Sequence, residues 1–381
     1  MKTIFWLSLF GVAYAYFIFP ALLAVLARLS TRPVLRAAGP VQEHVSMIIP
    51  VHNEARVLPG KLDNLAALDY PAEHLQVIFV SDGSTDATLE LLRAAQARLP
   101  FQITIVEVTE RRGKAHALNA GLERAEGQLV VFSDASILLE PGAVTEILRP
   151  FADPRVGCVS GEDHIEGGAG EGLYGRYELF LRNQESAVGS IVGASGSFYA
   201  QRRALCVPFR EGLAPDFFSV LNTVEQGYRA ITEPAARGFM TATTRADQEF
   251  QRKVRTLLRG LATLFAKPGL LNPLRYGRFA FVLLSHKLCR WLVPFMLLTA
   301  LLSNVALYAV GSYGPFLAVQ FAFYALAALA YWNVAGLQAN ALGRIAMFFV
   351  MVNIAILIAW ARYLKGERLE LWTPTERGIP S

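Results

Sequence analysis

The chain has 381 residues, of which 53% are apolar and only 18% charged, with a mean hydropathy of +0.35. That balance excludes an ordinary soluble enzyme of this length and assigns part of the chain to lipid. The formal charge of +5 does not call for nucleic acid, because the basic residues cluster beside apolar segments, where anionic headgroups account for them.

The first element is apolar. From Thr3 to Ala27 there is no charged residue, enough for a helix to cross a hydrocarbon core of ~30 Å. It is too long for the apolar part of a secretory signal, and Arg28, Arg32 and Arg36 follow it directly, so residues 1–36 read as a membrane anchor with a cytoplasmic basic flank. Residues 44–265 are polar enough for one cytoplasmic α/β domain, 266–292 read as an interfacial amphipathic segment, and 293–364 read as about three further membrane helices before a tail over 365–381. Trp291 to Gly343 lack Asp, Glu, Lys and Arg, with a turn expected near Gly311–Pro315, and Ile345–Ala361 supplies another apolar run. Arg362, Lys365, Arg368 and Arg377 argue for a cytoplasmic tail, whereas three crossings after the central domain place it outside. Either one segment does not fully span, or Phe279–Leu292 adds a crossing despite His286, Lys287 and Arg290; the sequence leaves both open.

Within the central domain, Val45–Val51 reads as a buried strand with Asn53-Glu54 opening a helix, Leu75–Val80 as a second strand, and a helix capped by Ser84 or Thr85 runs to about Arg98. Ile103–Val108, a helix over Ala115–Ala125, and a strand over Leu129–Ser133 follow. This alternation predicts a mostly parallel sheet covered on both faces. Ligands of such sheets bind beyond the carboxyl ends of the strands, where Glu54, Asp82 and Asp134 all fall. Arg111-Arg112-Gly113-Lys114 adds a basic turn leading into a helix, suited to phosphate oxygens. Acids with a nearby cation fit a nucleoside diphosphate held through a divalent ion, and no Gly-x-Gly-x-x-Gly turn marks a dinucleotide site. Cys158, Cys206 and Cys289 show neither metal-ligand nor pairing spacing, and the six histidines, His286 among them, form no cluster in the sequence and read as surface or packing residues.

These motifs, taken in order, resemble the membrane-embedded family 2 glycosyltransferases, relatives of cellulose, hyaluronan and poly-N-acetylglucosamine synthases. Pro50-Val51-His-Asn-Glu54 is similar to that family's opening motif and Ser81-Asp82-Gly-Ser84 to its Asp-Asp-Gly-Ser, which implies that Pro50, Val51, Glu54 and Asp82 hold the nucleoside. Lys114 to Gly121 resembles Lys-x-x-Ala-Leu-Asn-x-Gly, which implies Lys114 near the diphosphate. Ser133-Asp134-Ala-Ser136 stands in place of Asp-x-Asp, which implies Asp134 and Ser136 as ligands of Mg²⁺ or Mn²⁺, the serine bringing no charge. Gly193, Ser195 and Gly196 resemble the acceptor-side stretch, and Ala214-Pro215-Asp216 matches the position of the catalytic base, Asp216 alone surviving of its acids. Arg252-Lys-Val-Arg255-Thr256 replaces Gln-x-x-Arg-Trp, which implies Arg252 and Arg255 near diphosphate and acceptor, without the aromatic support expected of a processive enzyme.

The resemblance implies a GT-A-like domain inserted between transmembrane helices at a bacterial-type inner (plasma) membrane. It also implies inverting transfer from a nucleotide sugar, with UDP the expected nucleotide, to a saccharide or lipid acceptor in exopolysaccharide synthesis, in association with the bilayer and with unspecified secretion partners. A single transfer to a lipid or polyprenyl carrier is the alternative, and a membrane protein that only binds nucleotide sugar is the rival outside the enzymes. Standing alone, Asp82, Asp134 and Asp216 also suit plain turns or helix caps; Arg252, Lys253, Arg255 and Arg259 also suit an amphipathic helix facing lipid phosphate. Glu178 and Glu185, seven apart on one predicted helix, are candidates for acceptor contact.

Overall fold

The computed structural model describes residues 1–39, 41–166, 169–241, 246–309, 312–338 and 340–369. The first helix, α1 (Lys2–Leu29), is apolar throughout and loosens into π turns over Tyr14–Ile18. The central domain then alternates β1 (Val45–Val51), α2 (Leu58–Ala66), β2 (Leu75–Asp82), α3 (Thr88–Gln96), β3 (Gln102–Val108), α4 (Lys114–Arg124) and β4 (Leu129–Ser133). A second half adds β5 (Leu138–Leu139), α5 (Ala143–Leu148), β6 (Val156–Glu166), α6 (Ala169–Val188), β7 (Phe198–Arg202), α7 (Pro215–Glu225) and β8 (Arg229–Thr241).

All eight strands form one sheet in the order β3-β2-β1-β4-β7-β6-β8-β5. The first four are mutually parallel, as the alternation of strands and helices predicts; β7 turns antiparallel to both β4 and β6, and β5 is antiparallel to β8. Every residue of β1 and β2 is buried, because helices cover both faces, and that is why these strands are apolar runs without alternation. One core layer gathers Met47, Val77, Val131 and Ile231; the opposite one gathers Ile48, Ile78, Val130 and Leu118. Phe132 stacks on Tyr199 at 4.6 Å where the parallel half meets the mixed half.

Two local expectations fail for identifiable reasons. The stretch Asn53–Val57 is a turn, with Asn53 in the left-handed region at φ 52°, and α2 begins only at Leu58. The Asn53 side chain accepts from Thr85 N (2.8 Å) and its own N donates to Ser84 Oγ (3.2 Å), so asparagine spends its hydrogen bonds across two loops instead of starting a helix. Likewise α3 starts at Thr88, whose N donates to Asp86 Oδ1 (3.0 Å); Asp86, not Ser84 or Thr85, caps it.

After the central domain come α8 (Ala246–Ala266), α9 (Pro273–Leu307), α10 (Gly314–Tyr331) and α11 (Ala341–Leu364). With α1, the last three make four helices long and apolar enough to cross a membrane among the described residues. Phe279–Leu292 lies inside α9, which breaks at Gly277 and widens to π turns over Leu284–Cys289. The amphipathic α8 buries Val254, Leu258, Leu261 and Leu264. Phe265 of α8 packs on Tyr363 of α11, and Arg259 Nη2 donates to Leu369 O at 3.1 Å, so the segment after the last helix returns to the base of the central domain.

Close approach of α4 to β1 requires Gly121: a Cβ there meets Ile48 Cγ2 at 2.5 Å. Gly121→Ala is expected to cost about 1–3 kcal/mol through overpacking, read as a lower denaturation midpoint in detergent; an unchanged midpoint contradicts this packing.

Candidate active site

The site is built on backbone capture of one buried carboxylate. Asp82, at the end of β2, is fully buried and accepts Arg112 N and Gly113 N at 2.8 Å each. Its backbone oxygen pairs with His52 Nδ1 at 2.6 Å. Gly83 follows at φ +63°, where a side chain meets Arg111 N at 2.8 Å, so only glycine lets the two loops touch. The clamp fixes the loop after β3 and sets Lys114 as the first residue of α4. In this arrangement Asp82 shapes the loop with both oxygens and is itself fully enclosed.

Lys114 Nζ then reaches Asp134 Oδ1 at 2.6 Å and Gly196 O at 3.3 Å. Pro50, Lys114, Asp134, Gly196 and Asp216 line one small space at the carboxyl end of the sheet. Five residues expected from separate motifs therefore meet. A Cβ at Gly196 would lie 4.0 Å from Asp216 Cγ, so this glycine sits directly beside the Asp216 carboxylate. Ser195, expected on the acceptor side, is buried: its hydroxyl donates to Asp163 and accepts Ser197 N and Phe198 N (3.1 and 2.9 Å), which builds the turn that presents Gly196. Asp216 stands in the first turn of α7. Burial raises its carboxyl above the ordinary range, while Lys114 and Lys287 pull it down, an environment that suits a proton acceptor.

Glu54 and Lys61 are buried beside these groups. Desolvation, aided by Asp134 and Asp86, pushes Glu54 up to about 7. Lys61 was invisible as a site residue in the sequence. It lies completely buried, its Nζ donating to Ser133 Oγ (2.9 Å) and Ile137 O (2.7 Å), and burial pushes it down to about 7 against the pull of Asp134. It braces from below the loop that carries Asp134 and the half-buried Ser136. Among the described residues no three His, Cys, Asp or Glu side chains gather as a metal site. One carboxylate and one hydroxyl fit a divalent ion that takes its other ligands from a diphosphate.

Behind Asp216 lies a second cavity of about 260 Å³, lined by Gly193, Thr256, Lys287, Trp291 and the carboxylates Glu178 and Glu185. Here the expectation for the histidines is corrected: His286 is buried in an ion network, because α9 carries it inward against α6. Its Nδ1 lies 2.5 Å from Glu185 Oε1, and Arg290 Nη1 donates to its Nε2 at 3.1 Å, which places the ring proton on Nδ1. Arg290 Nη1 also meets Glu178 Oε1 at 2.5 Å, and its Nη2 donates to Tyr174 OH at 2.8 Å. The sequence signal was a cluster of charges, His286, Lys287 and Arg290, inside an apolar run. From α8 the cavity takes Thr256, Leu257 and Gly260, while Arg252 is held by Glu249 at 2.7 Å.

A mostly parallel sheet with acids at its carboxyl edge, continued by a mixed half that presents Asp216, is the GT-A-like arrangement of nucleotide-sugar transferases. Residues 46–206 match the model of glycosyl transferase family 2, and this domain belongs to that family. It is 26% identical over 211 residues to the poly-beta-1,6-N-acetyl-D-glucosamine synthase of Staphylococcus aureus (strain COL), covering 52% of this chain and 50% of that one. With the enzyme of the same name from Staphylococcus epidermidis it shares 27% over 165 residues, 41% of this chain and 39% of the other. The chain thus spans about half the length or less of the curated relatives it matches. A solved mannosyltransferase, PcManGT from Pyrobaculum calidifontis in complex with GDP-Man and Mn²⁺, superposes with a TM-score of 0.73 at 27% identity, covering 96% of this chain and 100% of that one.

Glu54 yields a pH-dependent test. Its folded-state value of about 7 against an ordinary 4.5 means that the native state binds the extra proton, so the penalty is absent below about pH 4.5, grows as pH rises, and is complete above about pH 7. Glu54→Gln is therefore expected to stabilise the protein by roughly 3 kcal/mol at pH 8 and by nearly nothing at pH 4.5, measured by denaturant titration. An equal effect at both values contradicts a raised Glu54.

Proposed function

We propose that the chain is an inverting transferase that moves a sugar from a nucleoside diphosphate to a membrane-associated acceptor, with Asp216 as the base. The observation that carries this reading is that Asp216 borders two spaces at once. On one side are Lys114, Asp134 and Gly196; on the other are Gly193, Thr256 and Lys287. A donor held on the first side and an acceptor on the second meet at one carboxylate. Pro50, Val51, Glu54 and Asp82 form the nucleoside end, and Lys114 with Arg255 offers positive charge to the diphosphate as its leaving oxygen gains charge. Asp134 and Ser136 would hold Mg²⁺ or Mn²⁺, which supplies Lewis-acid neutralisation of that diphosphate. The acceptor hydroxyl attacks the anomeric carbon, the bond to the diphosphate breaks with its electron pair, and the proton passes to Asp216.

UDP-sugar is the first expectation for the donor. A GDP-sugar is the second, favoured by the mannosyltransferase with GDP-Man that matches nearly the whole chain. The four apolar helices and Arg28, Arg32 and Arg36 support a plasma-membrane protein whose catalytic domain faces the cytoplasm. Contact of Leu369 with Arg259 supports an end of the last helix on that same side, in which case one of α9, α10 and α11 does not fully cross.

Asp216→Asn is expected to lower transfer at least 1,000-fold, on the order of a lost general base, while nucleotide affinity stays within a few-fold. In the parent enzyme kcat/KM should fall on the acid side with an apparent pKa above the ordinary 3.8. Nucleotide release from a panel of nucleotide sugars measures both, and undiminished turnover of the variant removes Asp216 from the mechanism. Asp134→Ala is expected to abolish the metal dependence of nucleotide binding in calorimetry; normal metal-dependent binding refutes its assignment.

A further inference from the structure

Resting on that reading, we infer that Glu185 is a positioning residue: through His286 it joins the membrane helix α9 to the turn over residues 192–197, and so sets the placement of Lys114, Asp134 and Asp216 around the donor.

Glu185 lies near the end of α6 and is almost wholly buried, with 1% of its surface exposed. A carboxylate in such a place is unfavourable unless its oxygens find donors. Oε1 accepts the ring proton on His286 Nδ1 at 2.5 Å, and Oε2 accepts Val192 N at 3.1 Å. The two donors belong to different parts of the molecule: a helix apolar enough for the bilayer, and the turn that leads to the catalytic edge. On the far side of the ring, Arg290 donates to His286 Nε2 at 3.1 Å and pairs with Glu178, which keeps the Nδ1 proton aimed at Glu185.

The turn carries three contacts that bear on the reaction. Gly196 O accepts Lys114 Nζ at 3.3 Å, Ser197 O accepts Asp134 N at 2.9 Å, and Gly196 sits beside the Asp216 carboxylate. A second residue of α6, about one helical turn earlier, reaches the same segment: Arg182 Nη1 donates to Ser160 Oγ at 3.2 Å, and that oxygen accepts Ser195 N at 2.8 Å. Val192 is fully buried in one apolar cluster with Leu181, Phe217, Leu258 and Trp291. Its N–H therefore has no water to turn to, and withdrawal of Glu185 Oε2 leaves a buried donor unpaired.

The contacts run in order from Arg290 to His286, Glu185 and Val192, and then through Gly196 and Ser197 to the donor edge. A catalytic constellation has to be held within about 0.5 Å of its working geometry. Two of the groups concerned are hydrogen-bonded to this turn and the third faces it. Pro50, Val51, Glu54 and Asp82 hang on other loops, so slackening the turn slows the chemical step without removing nucleotide binding.

The test uses the full chain in nanodiscs, with kcat and donor KM measured for the nucleotide sugar that the release panel selects, and nucleotide sites counted by calorimetry with UDP and GDP. Glu185→Gln keeps the volume but has one oxygen for two N–H donors; it is expected to lower kcat per nucleotide site about tenfold while donor KM stays within roughly threefold. His286→Leu, which removes the donor from the other end, should do the same. His286→Gln should stay close to the parent rate, because its amide donates to Glu185 and its oxygen accepts from Arg290 as the imidazole does. Combining Glu185→Gln with His286→Leu should cost no more than either alone, as expected of members of one chain of contacts. Parent-like turnover of Glu185→Gln overturns the inference, and so does a double loss equal to the product of the single losses. A His286→Gln variant as slow as His286→Leu overturns the link to α9. Loss of nucleotide sites together with turnover also counts against it, because that is the mark of a merely structural residue. Failure of the transferase reading looks different: the parent chain itself turns over no nucleotide sugar.

Discussion

Everything at the donor edge depends on the capture of the Asp82 carboxylate by two backbone amides of the loop after β3. A buried carboxylate with two N–H donors is stable only if the loop keeps its shape, so the interaction transmits the rigidity of the sheet to Gly113 and Lys114. Lys114 is thereby held over Asp134, and through Gly196 O it also fixes the turn whose glycine sits beside Asp216. Loops that follow three different strands are locked into one surface by a few polar contacts, while the strands beneath them are apolar and interchangeable in chemistry.

That surface alternates sign. Glu54, Asp134 and Asp216 are interleaved with Lys61, Lys114 and Lys287, and at Glu54, Lys61 and Asp216 burial works against the charged form while neighbouring charges oppose or support it. Such a site is balanced internally before a ligand arrives. A diphosphate that paired with Lys114 would exchange one ion pair for another, and Asp134 so released would be free to hold a divalent ion. Lys61 cannot take part in that exchange, because it is bound to Ser133 and Ile137 beneath the loop; its role is to hold the loop still.

Much of this was legible in the sequence. The four parallel strands, the order of the motifs and the common edge of Glu54, Asp82 and Asp134 follow from apolar runs ending in acids, since a strand buried on both faces has no alternation to blur its ends. The turn at Asn53 was not, because it depends on hydrogen bonds to a loop about 30 residues away in sequence. Lys61 was hidden for the opposite reason: a lysine in an ordinary helical segment reads as solvent-facing, and only the packing of α2 under β4 buries it. The network of Glu178, Glu185, His286 and Arg290 was half visible, its acids on one predicted helix and its bases within an apolar run, but pairing them required the long-range approach of α6 to α9.

The approach of α6 to α9 is also where catalysis and membrane meet. Charged groups in an apolar helix are tolerated when they face protein and find partners, and α9 turns His286, Lys287 and Arg290 toward the domain at the stretch where its helix widens into π turns. Widening shifts the side chains along the helix face relative to a regular α-helix, which brings all three to bear on α6 and α7 while the rest of α9 stays apolar. His286 and Arg290 are consumed in closing the wall. Lys287, one residue along from His286, lines the cavity beside Asp216 and faces the Phe217 ring, so the same irregularity sets a cation next to that carboxylate.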